Sequence, residues 1–166
     1  MALAETEVER RTWLDRLAIQ ELIYRYSDGL TRADWKQCES VFSPEAIWES
    51  PALGLRYESR EAFIEMLEGT STAEFMIQTA SSPVINLLGS DKAQATTTVQ
   101  EMMRGVTAVL TGEVLNSTLY GVYYDDIARI DGEWKFTHRL YVPIYAETGA
   151  LTGDVVTPRS GLLRAE

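Results

Sequence analysis

The sequence contains a single histidine, and the pattern around it indicates acid–base chemistry. His138 lies in a stretch where Trp134, Phe136 and Leu140 alternate with polar or charged residues. In a β-strand, this alternation places His138 on the apolar face. An imidazole among apolar side chains can serve as a general base or a general acid near neutral pH. His138 is therefore a candidate catalytic residue; the alternative is a buried histidine that is hydrogen-bonded to a neighbouring strand or hydroxyl.

Two carboxylates are further candidates. Asp28 lies near the end of the first predicted helix, where it could supply a catalytic acid. The alternative is a solvated or helix-capping carboxylate, because aspartate is seldom buried without a partner. Glu101 shares a predicted strand face with Val99 and Met103. An acid on an apolar face is costly unless it is paired or functional, so Glu101 is either a substrate contact or a paired structural residue.

Neutral side chains could complete such a site. The phenols of Tyr26 and Tyr123 can hold a carbonyl or enolate oxygen without ionising, and the alternative for each is an ordinary core tyrosine. The flexible thioether of Met103 suits either an adaptable apolar wall or a plain core. Trp48, on a short predicted strand, is a further expected substrate contact.

Cofactor-dependent chemistry is not indicated. With Cys38 as the one cysteine and His138 as the one histidine, an intrachain disulfide and a histidine-rich metal site are excluded within one chain. The sequence has no glycine-rich phosphate loop, Gly-x-Ser-x-Gly elbow or metal-ligand spacing. Cys38 lies on an apolar helix stripe and is expected to be inert. We therefore expect neither a metal ion nor an organic cofactor.

Length and charge limit the class of protein and its partners. A chain of 166 residues fits one domain with a sizeable core. Its 25 acidic and 15 basic residues give a net charge of −10, which disfavours binding to nucleic acids and to anionic membranes. No apolar run approaches the roughly 20 residues of a membrane-spanning helix, and the charged N-terminus is unlike a signal peptide. We expect a cytoplasmic protein whose partner is a small hydrophobic molecule.

Helices are predicted first and strands second. Apolar residues at three-to-four spacing predict a first helix whose buried face includes Trp13, Leu14 and Leu17. The predicted helices are Glu5–Leu30, a short helix that Asp34 caps and that continues to Phe42, and a third helix that starts at Ser59. The predicted strands are Ala46–Ser50, Phe75–Gln78, Val84–Leu88, Ala93–Arg104, Leu115–Ile130 and Glu133–Tyr145. This order predicts an α+β fold in which a curved antiparallel sheet wraps around the helices.

Residues 1–147 are expected to form the domain. Residues 148–166, which contain several glycines, are expected to form a tail that packs on the domain or on a neighbouring subunit. Because an open sheet and such a tail both offer association surfaces, we expect a homo-oligomer.

Two segments resemble a known family. The segment IQELIYRYSDGLTRADWKQCESVFSPEAIW, followed by a helix, a meander and IDGEWKFTHRLYVPIY, resembles the SnoaL-like branch of the nuclear transport factor 2-like superfamily. That branch includes scytalone dehydratase, bile-acid 7α-dehydratase and hexachlorocyclohexane dehydrochlorinase. The resemblance covers residues from about 10 to about 147 by the order of elements. It implies a cone-shaped α+β barrel with an apolar pocket between helix and sheet, and either a trimer, as in the dehydratases, or a dimer.

The resemblance also implies a catalytic dyad that this chain lacks. The family's dehydratases use an aspartate late in the first helix and a histidine at the start of the sheet, without metal or cofactor. The matching positions here are Thr31 and Gln78. Threonine and glutamine cannot act as an acid and a base near neutral pH, so we expect both to be polar contacts in the pocket.

The expected function is that of a cofactor-independent enzyme of the lyase or isomerase type. It would catalyse dehydration, isomerisation or cyclisation of a small apolar molecule, such as a polycyclic or polyketide-like compound, with His138 as the acid or base. Two alternatives stay open. A non-catalytic ligand-binding or assembly domain would also lack both dyad residues. A catalyst that acts through shape alone would fold a reactive substrate without proton transfer.

Overall fold

The structure, a computed structural model, describes residues 2–70, 73–107 and 112–162. Within these ranges, three helices pack against one seven-stranded sheet. The helices are α1 (Ala2–Arg32), α2 (Trp35–Ser40) and α3 (Arg60–Gly69). The strands are β1 (Phe42–Ser50), β2 (Leu55–Tyr57), β3 (Phe75–Ala80), β4 (Val84–Leu87), β5 (Lys92–Thr107), β6 (Val114–Ile130) and β7 (Glu133–Thr148). Short 3-10 turns lie at Pro51–Leu53 and Arg159–Gly161.

The sheet is curved and does not close into a full barrel. Its strand order is β2-β1-β7-β6-β5-β3, and β4 pairs with β5 beyond the end of β3. Strand β1 runs parallel to β7, whereas all the other described pairs are antiparallel. The predicted α+β cone is confirmed, with the difference that the β1–β7 pair makes the sheet mixed.

The C-terminal half of α1 lies inside the curve of the sheet. Its buried side chains recur at three-to-four spacing and include Ile19, Ile23 and Tyr26. The predicted burial of Trp13, Leu14 and Leu17 is wrong, because these side chains are 66%, 51% and 58% exposed. Near the middle of α1, the opposite face of the helix contacts the domain through polar side chains. Asp15 accepts a hydrogen bond from Arg129 at 2.5 Å, and Arg16 donates to the carbonyl of Ile85 at 2.8 Å. Periodicity identifies an apolar face of a helix, but it does not identify what covers that face.

The boundary between the second helix and the first strand lies earlier in the chain than predicted. Helix α2 ends at Ser40, and β1 starts at Phe42, four residues earlier than expected. Pro44 therefore lies inside a strand. It is tolerated there because the β1–β7 register shifts between Phe42 and Ile47, which leaves an interval without ladder hydrogen bonds.

The β6–β7 hairpin has the expected tight turn. Asp131 and Gly132 have φ angles of 51° and 86°, the left-handed conformation that such turns require. Further along, the β6–β7 register shifts by one residue between Phe136 and His138. Thr137 is therefore an extra residue in β7, a β-bulge.

Because of this bulge, the inward-facing side chains beyond Thr137 are Arg139 and Tyr141, and both are buried. The guanidinium of Arg139 donates to both carboxylate oxygens of Asp125, at 2.7 and 3.0 Å. The aromatic rings of Tyr26, Tyr123 and Phe136 enclose this guanidinium, with centroids 4.0 to 4.3 Å from it. The ion pair thereby joins α1, β6 and β7 at the centre of the fold.

Arg159 joins the segment after β7 to the ends of two helices. Its buried guanidinium donates to the carbonyls of Leu30, Thr31 and Thr70, where α1 and α3 end. Helix C-termini have unpaired carbonyls, so a cation there is favourable. Burial lowers the pKa of Arg159 to about 10. A contact of this segment with a neighbouring subunit stays a prediction.

Replacing Asp125 with alanine is expected to destabilise the protein by about 3–5 kcal/mol, because Arg139 would stay buried without a counter-charge. Chemical denaturation measures this loss. The matched control is Glu7→Ala, which removes an exposed ion pair with Arg10 at 2.6 Å and should cause no measurable loss. Equal effects of the two substitutions would contradict the structural role of the buried pair.

Candidate active site

A cavity of about 170 Å³ lies between α1, α3 and the concave face of the sheet. Glu101 is the one carboxylic acid among the described residues that line it. The remaining lining is mostly aliphatic and aromatic, with tyrosine hydroxyls as further polar groups. It consists of Tyr26, Leu30, Trp48, Leu53, Leu55, Phe63, Met66, Leu67, Thr70, Met76, Met103, Val106, Thr107, Leu119, Tyr123 and Tyr141.

A chain of hydrogen bonds positions the Glu101 carboxyl. The antiparallel β3–β5 register places Gln78 directly opposite Glu101. The Gln78 amide Nε2 donates to Glu101 Oε1 at 2.5 Å, and Ser27 of α1 donates to Gln78 Oε1 at 2.8 Å. All three side chains are buried. Since each amide atom of Gln78 has a partner, the carboxyl is connected to α1 through one oriented side chain.

Thr31 completes the link between α1 and β3. Its hydroxyl accepts the backbone N–H of Gln78 at 3.1 Å and donates to the carbonyl of Ser27 at 3.0 Å. Thr31 and Gln78 therefore lie in contact, at the two positions where the resemblance implies a catalytic dyad. Neither of them is among the residues that line the cavity. The prediction of two direct pocket contacts is corrected to two supporting residues one layer behind Glu101.

Burial raises the pKa of the Glu101 carboxyl, because an apolar environment disfavours the charged form. The hydrogen bond from Gln78 and the charge of Arg139 act in the opposite direction. Glu101 is thus more easily protonated than an exposed glutamate. A carboxyl with a raised pKa can both accept and return a proton at moderate pH.

Tyr26 and Tyr123 lie beside this carboxyl. Their rings meet edge to face with centroids 6.0 Å apart. Burial raises the pKa of both phenols well above the usual value. Near neutral pH both phenols therefore keep their protons and stay neutral.

Trp48 and Tyr141 form another part of the cavity wall. Their rings are stacked, with centroids 6.3 Å apart and planes 26° apart. The indole Nε1 of Trp48 and the hydroxyl of Tyr141 are buried, and neither has a hydrogen-bond partner in the part of the chain that the structure describes. Trp48 and Met103 line the cavity at the positions where substrate contacts were expected.

His138 does not face the cavity, so its expected place on the apolar side is wrong. The bulge at Thr137 turns the histidine to the outer surface of the sheet. Its Nε2 lies 2.8 Å from Glu49 Oε1 of β1, and its Nδ1 lies 3.6 Å from Asp126 Oδ2. The hydrogen bond to a neighbouring strand agrees with the alternative that the sequence left open, but the side chain is 33% exposed and is not buried as that alternative expected.

Asp28 is also outside the cavity. Its side chain is 54% exposed, and its carboxylate pairs with Arg32 at 2.5 Å on the outer face of α1. Gln37 donates a further hydrogen bond to it at 2.7 Å. These partners lower the pKa of Asp28, with Arg32 as the main cause. The structure therefore does not bring Asp28 into the candidate site.

Sequence reasoning did not identify Ser27, Asp125, Arg139 and Tyr141. If the β6–β7 hairpin had no bulge, its register from the turn onwards would place Asp125 opposite His138. The residue observed opposite Asp125 is Arg139. One signal was present, because Asp125 follows Tyr123 at the strand period of two and therefore shares its inward face.

Neither a metal-binding cluster of three or more side chains nor a membrane-spanning helix occurs among the described residues. Within the described ranges, no group of three or more His, Cys, Asp or Glu side chains is arranged to hold a metal ion. Of the helices in those ranges, none is sufficiently long and apolar to span a bilayer.

The chain belongs to the SnoaL-like domain family, whose family model matches residues 11–140. This result confirms the resemblance to the SnoaL-like branch of the nuclear transport factor 2-like superfamily. No curated protein matches the sequence.

Solved structures share the fold at low sequence identity. A protein from Novosphingobium aromaticivorans that is proposed to be a scytalone dehydratase is 21% identical, with a TM-score of 0.73 over 95% of this chain and 99% of its own. The hexachlorocyclohexane dehydrochlorinase LinA-type3 from Novosphingobium barchaimii is 18% identical, with a TM-score of 0.73 over 90% of this chain and 99% of its own. A protein from N. aromaticivorans that is proposed to be an aromatic ring hydroxylase is 19% identical. Its TM-score is 0.70, over 81% of this chain and 93% of its own. At these identities the likeness establishes the fold and not the reaction.

Replacing Glu101 with glutamine is expected to stabilise the protein at pH 8. Because the folded-state pKa of Glu101 is raised, the folded state holds this proton more tightly than the unfolded state does, and stability is lost as pH rises through the folded-state pKa. Glutamine stays neutral and can still accept from Gln78. The free energy of unfolding should rise by about 1–3 kcal/mol at pH 8 and change little at pH 4.

Denaturant titration at the two pH values measures this difference. Glu68→Gln, at an exposed position of α3, is the matched control and should have no effect at either pH. A Glu101→Gln protein that is less stable than the wild type at pH 8 would contradict the raised pKa.

Proposed function

We propose that this protein is a cofactor-independent enzyme of the lyase or isomerase type, in which Glu101 transfers a proton to or from a small apolar molecule. The observation that carries the proposal is a buried carboxyl on the wall of an otherwise apolar cavity. Burying a carboxyl group in apolar surroundings costs free energy, and buried ionisable groups with a shifted pKa are typical of functional sites.

The positions that the family resemblance implies for the dyad support this assignment. Thr31 and Gln78 are in contact, as two dyad residues would be, but neither can exchange a proton near neutral pH. Gln78 instead donates directly to Glu101. In this proposal, Glu101 supplies the acid and base, and Gln78 holds its carboxyl in the way that an aspartate would hold a histidine.

The proposed reaction starts with the ionised form of Glu101. The carboxylate removes a proton from a carbon next to a carbonyl group, and the electron pair moves onto the carbonyl oxygen to give an enolate. Return of the proton at another carbon gives isomerisation. Dehydration results when the enolate electron pair forms a C=C bond and expels the hydroxyl group of the neighbouring carbon, to which Glu101 returns the proton, so that water leaves and the carboxylate is regenerated. The apolar wall keeps water away and strengthens the interactions that stabilise the enolate. Tyr26 and Tyr123 are proposed as neutral phenols that support this charge beside the carboxyl.

We do not assign the acid–base role to His138 or Asp28, because both side chains lie outside the cavity. The names of two structural neighbours, a dehydratase and a dehydrochlorinase, denote elimination reactions. Elimination also requires removal of a proton from carbon, which a buried carboxylate can perform. A second candidate function is non-catalytic binding of a small molecule, which the neutral residues at both dyad positions favour.

We also propose that the protein forms homo-oligomers. The outer face of β6 and β7 exposes apolar side chains, and Ile144 is 68% and Tyr124 is 49% exposed. Covering such side chains with a second subunit would remove apolar surface from water. Whether the assembly is a dimer or a trimer, and a cytoplasmic location, stay predictions.

Hydrogen exchange at carbon tests the reaction class without knowledge of the natural substrate. In D₂O, the wild-type protein should accelerate the incorporation of deuterium next to the carbonyl group of small cyclic ketones, as measured by proton NMR. Glu101→Gln should reduce this acceleration by about 100-fold or more, the usual contribution of a general base. His138→Ala should leave it unchanged, because that side chain does not reach the cavity.

A wild-type protein that binds these ketones without any exchange would favour the binding function. Loss of exchange in His138→Ala but not in Glu101→Gln would contradict the assignment of the base.

The pH profile of the same exchange tests the role of Gln78. Activity should fall as pH decreases through the raised pKa of Glu101, because the base becomes protonated. Gln78→Leu removes a hydrogen bond to the charged carboxylate, so it should raise that pKa further and move the acidic limb of kcat/KM to higher pH. An acidic limb that stays in place would show that Gln78 does not act through Glu101.

A further inference from the structure

We propose that the outer face of α1 binds a second copy of this chain, with the two helices packed antiparallel. This face carries Arg10, Leu14, Leu17 and Glu21, and we call these four positions the α1 stripe. The α1 stripe lies apart from the outer face of β6 and β7. Its association with a second copy depends neither on that face nor on the proposed chemistry of the cavity.

Three large apolar side chains are exposed together at the centre of the α1 stripe. Trp13, Leu14 and Leu17 are 66%, 51% and 58% exposed. They lie on the side of α1 opposite to Ile19 and Ile23, which are buried against the sheet. Single exposed apolar side chains are ordinary on a protein surface, whereas a contiguous group of large ones is typical of an interaction site.

The spacing along the α1 stripe is that of a contact between two helices. From Arg10 the stripe continues to Leu14, Leu17 and Glu21 in steps of four, three and four residues, and all four side chains are exposed. Positions at such steps lie in a row on one side of a helix, as the contact positions of a coiled coil do. A second helix is therefore the partner whose shape fits this row.

The charges at the two ends of the α1 stripe determine the direction of the partner helix. If a second copy runs antiparallel with Leu14 opposite the partner's Leu17, then Arg10 lies opposite the partner's Glu21. Twofold symmetry forms this ion pair twice, once at each end of the contact. A parallel copy would instead place arginine opposite arginine and glutamate opposite glutamate, which is unfavourable. The stripe is thus complementary to itself in the antiparallel direction.

A second pair of charges fits the same register. Glu7 lies near the partner's Arg25, because each of the two residues is about one helical turn beyond the first ion pair. Both side chains are exposed in the single chain. The contact would then extend over residues 7–25, about 27 Å of helix. A contact of this length is at the small end of specific interfaces, so we expect a weak dimer.

The domain holds α1 from the opposite side at the level of the stripe. Asp15 accepts a hydrogen bond from Arg129 at 2.5 Å, and Arg16 donates to the carbonyl of Ile85 at 2.8 Å. A helix that is fixed in this way loses little freedom when a partner binds, which favours association.

Charge reversal tests both the partner and its direction. Each protein also carries Ile144→Asp, so that the outer face of β6 and β7 contributes little to association. In this background, sedimentation should show a dimer with a dissociation constant of about 1–100 µM. Arg10→Glu would place an acid opposite the partner's Glu21 at both ends, so it should weaken association by about tenfold or more. Adding Glu21→Arg restores opposite charges and should recover the original affinity to within about threefold.

Arg11→Glu is the matched control. It makes the same change in net charge as Arg10→Glu, but a step of one residue turns the side chain by about 100° around the helix, away from the stripe. Its dissociation constant should equal that of the background protein. The comparison separates the proposed ion pairs from general repulsion between more acidic chains.

Trp13 provides a measurement on the unsubstituted protein. Trp48 and Trp134 are already buried, whereas Trp13 is 66% exposed and lies at the edge of the stripe. Its burial in the contact should shift the tryptophan emission to shorter wavelength as the protein concentration rises. Trp13→Phe should abolish this concentration-dependent shift, and Ile144→Asp alone should leave it in place.

Equal association of the Arg10→Glu and Arg11→Glu proteins would overturn the proposal, and so would a double variant that does not recover the original affinity. A background protein that stays monomeric at millimolar concentration would overturn it as well, whether or not the chain binds to phosphatidylcholine vesicles. These outcomes are separate from the fate of the proposed function, because the stripe contains no residue of the cavity.

Discussion

The buried ion pair between Arg139 and Asp125 is the interaction on which the rest of the structure depends. A charge in the centre of a small domain is tolerated only when a counter-charge and well-packed neighbours surround it. Here the guanidinium has Asp125 on one side and three aromatic rings around it, which fixes Tyr26 of α1 and Tyr123 of β6 at the cavity. The same positive charge opposes the rise in the pKa of Glu101. The charge of Arg139 thus acts both on the packing of the fold and on the ionisation of the proposed catalytic carboxyl.

In our proposal, the fold keeps the location of its chemistry while the residues that perform it change. Thr31 and Gln78 stay in contact at the positions that the resemblance implies for a dyad, but they serve as hydrogen-bonding supports. In our proposal the titratable group is one strand further along the sheet, on Glu101 of β5. An amide suits this role because its N–H group stabilises the carboxylate while its oxygen accepts from Ser27.

Local periodicity in the sequence was sufficient for most of the elements and for part of the site, but not for the start of β1 or for the short strand β2. Glu101 could be placed beside Val99 and Met103 because β5 alternates regularly over these residues, and all three are buried. The orientation of His138 could not be obtained in the same way, since the extra residue at Thr137 reverses the alternation and has no clear local signature. The exposure of Trp13 was missed for a different reason: a helix pattern does not reveal how far the sheet extends along the helix.

The ionisation of Glu101 in the intact protein tests the central claim most directly. A ¹³C NMR titration of protein labelled at the glutamate side-chain carboxyl, with the Glu101 signal assigned by its absence from a Glu101→Gln spectrum, reports the pKa of this one group. Our account predicts a midpoint above the usual value for glutamate, and a change in the Glu101 signal when cyclohexanone occupies the cavity. A midpoint at or below the usual value, with a signal that does not respond to the ketone, would contradict it.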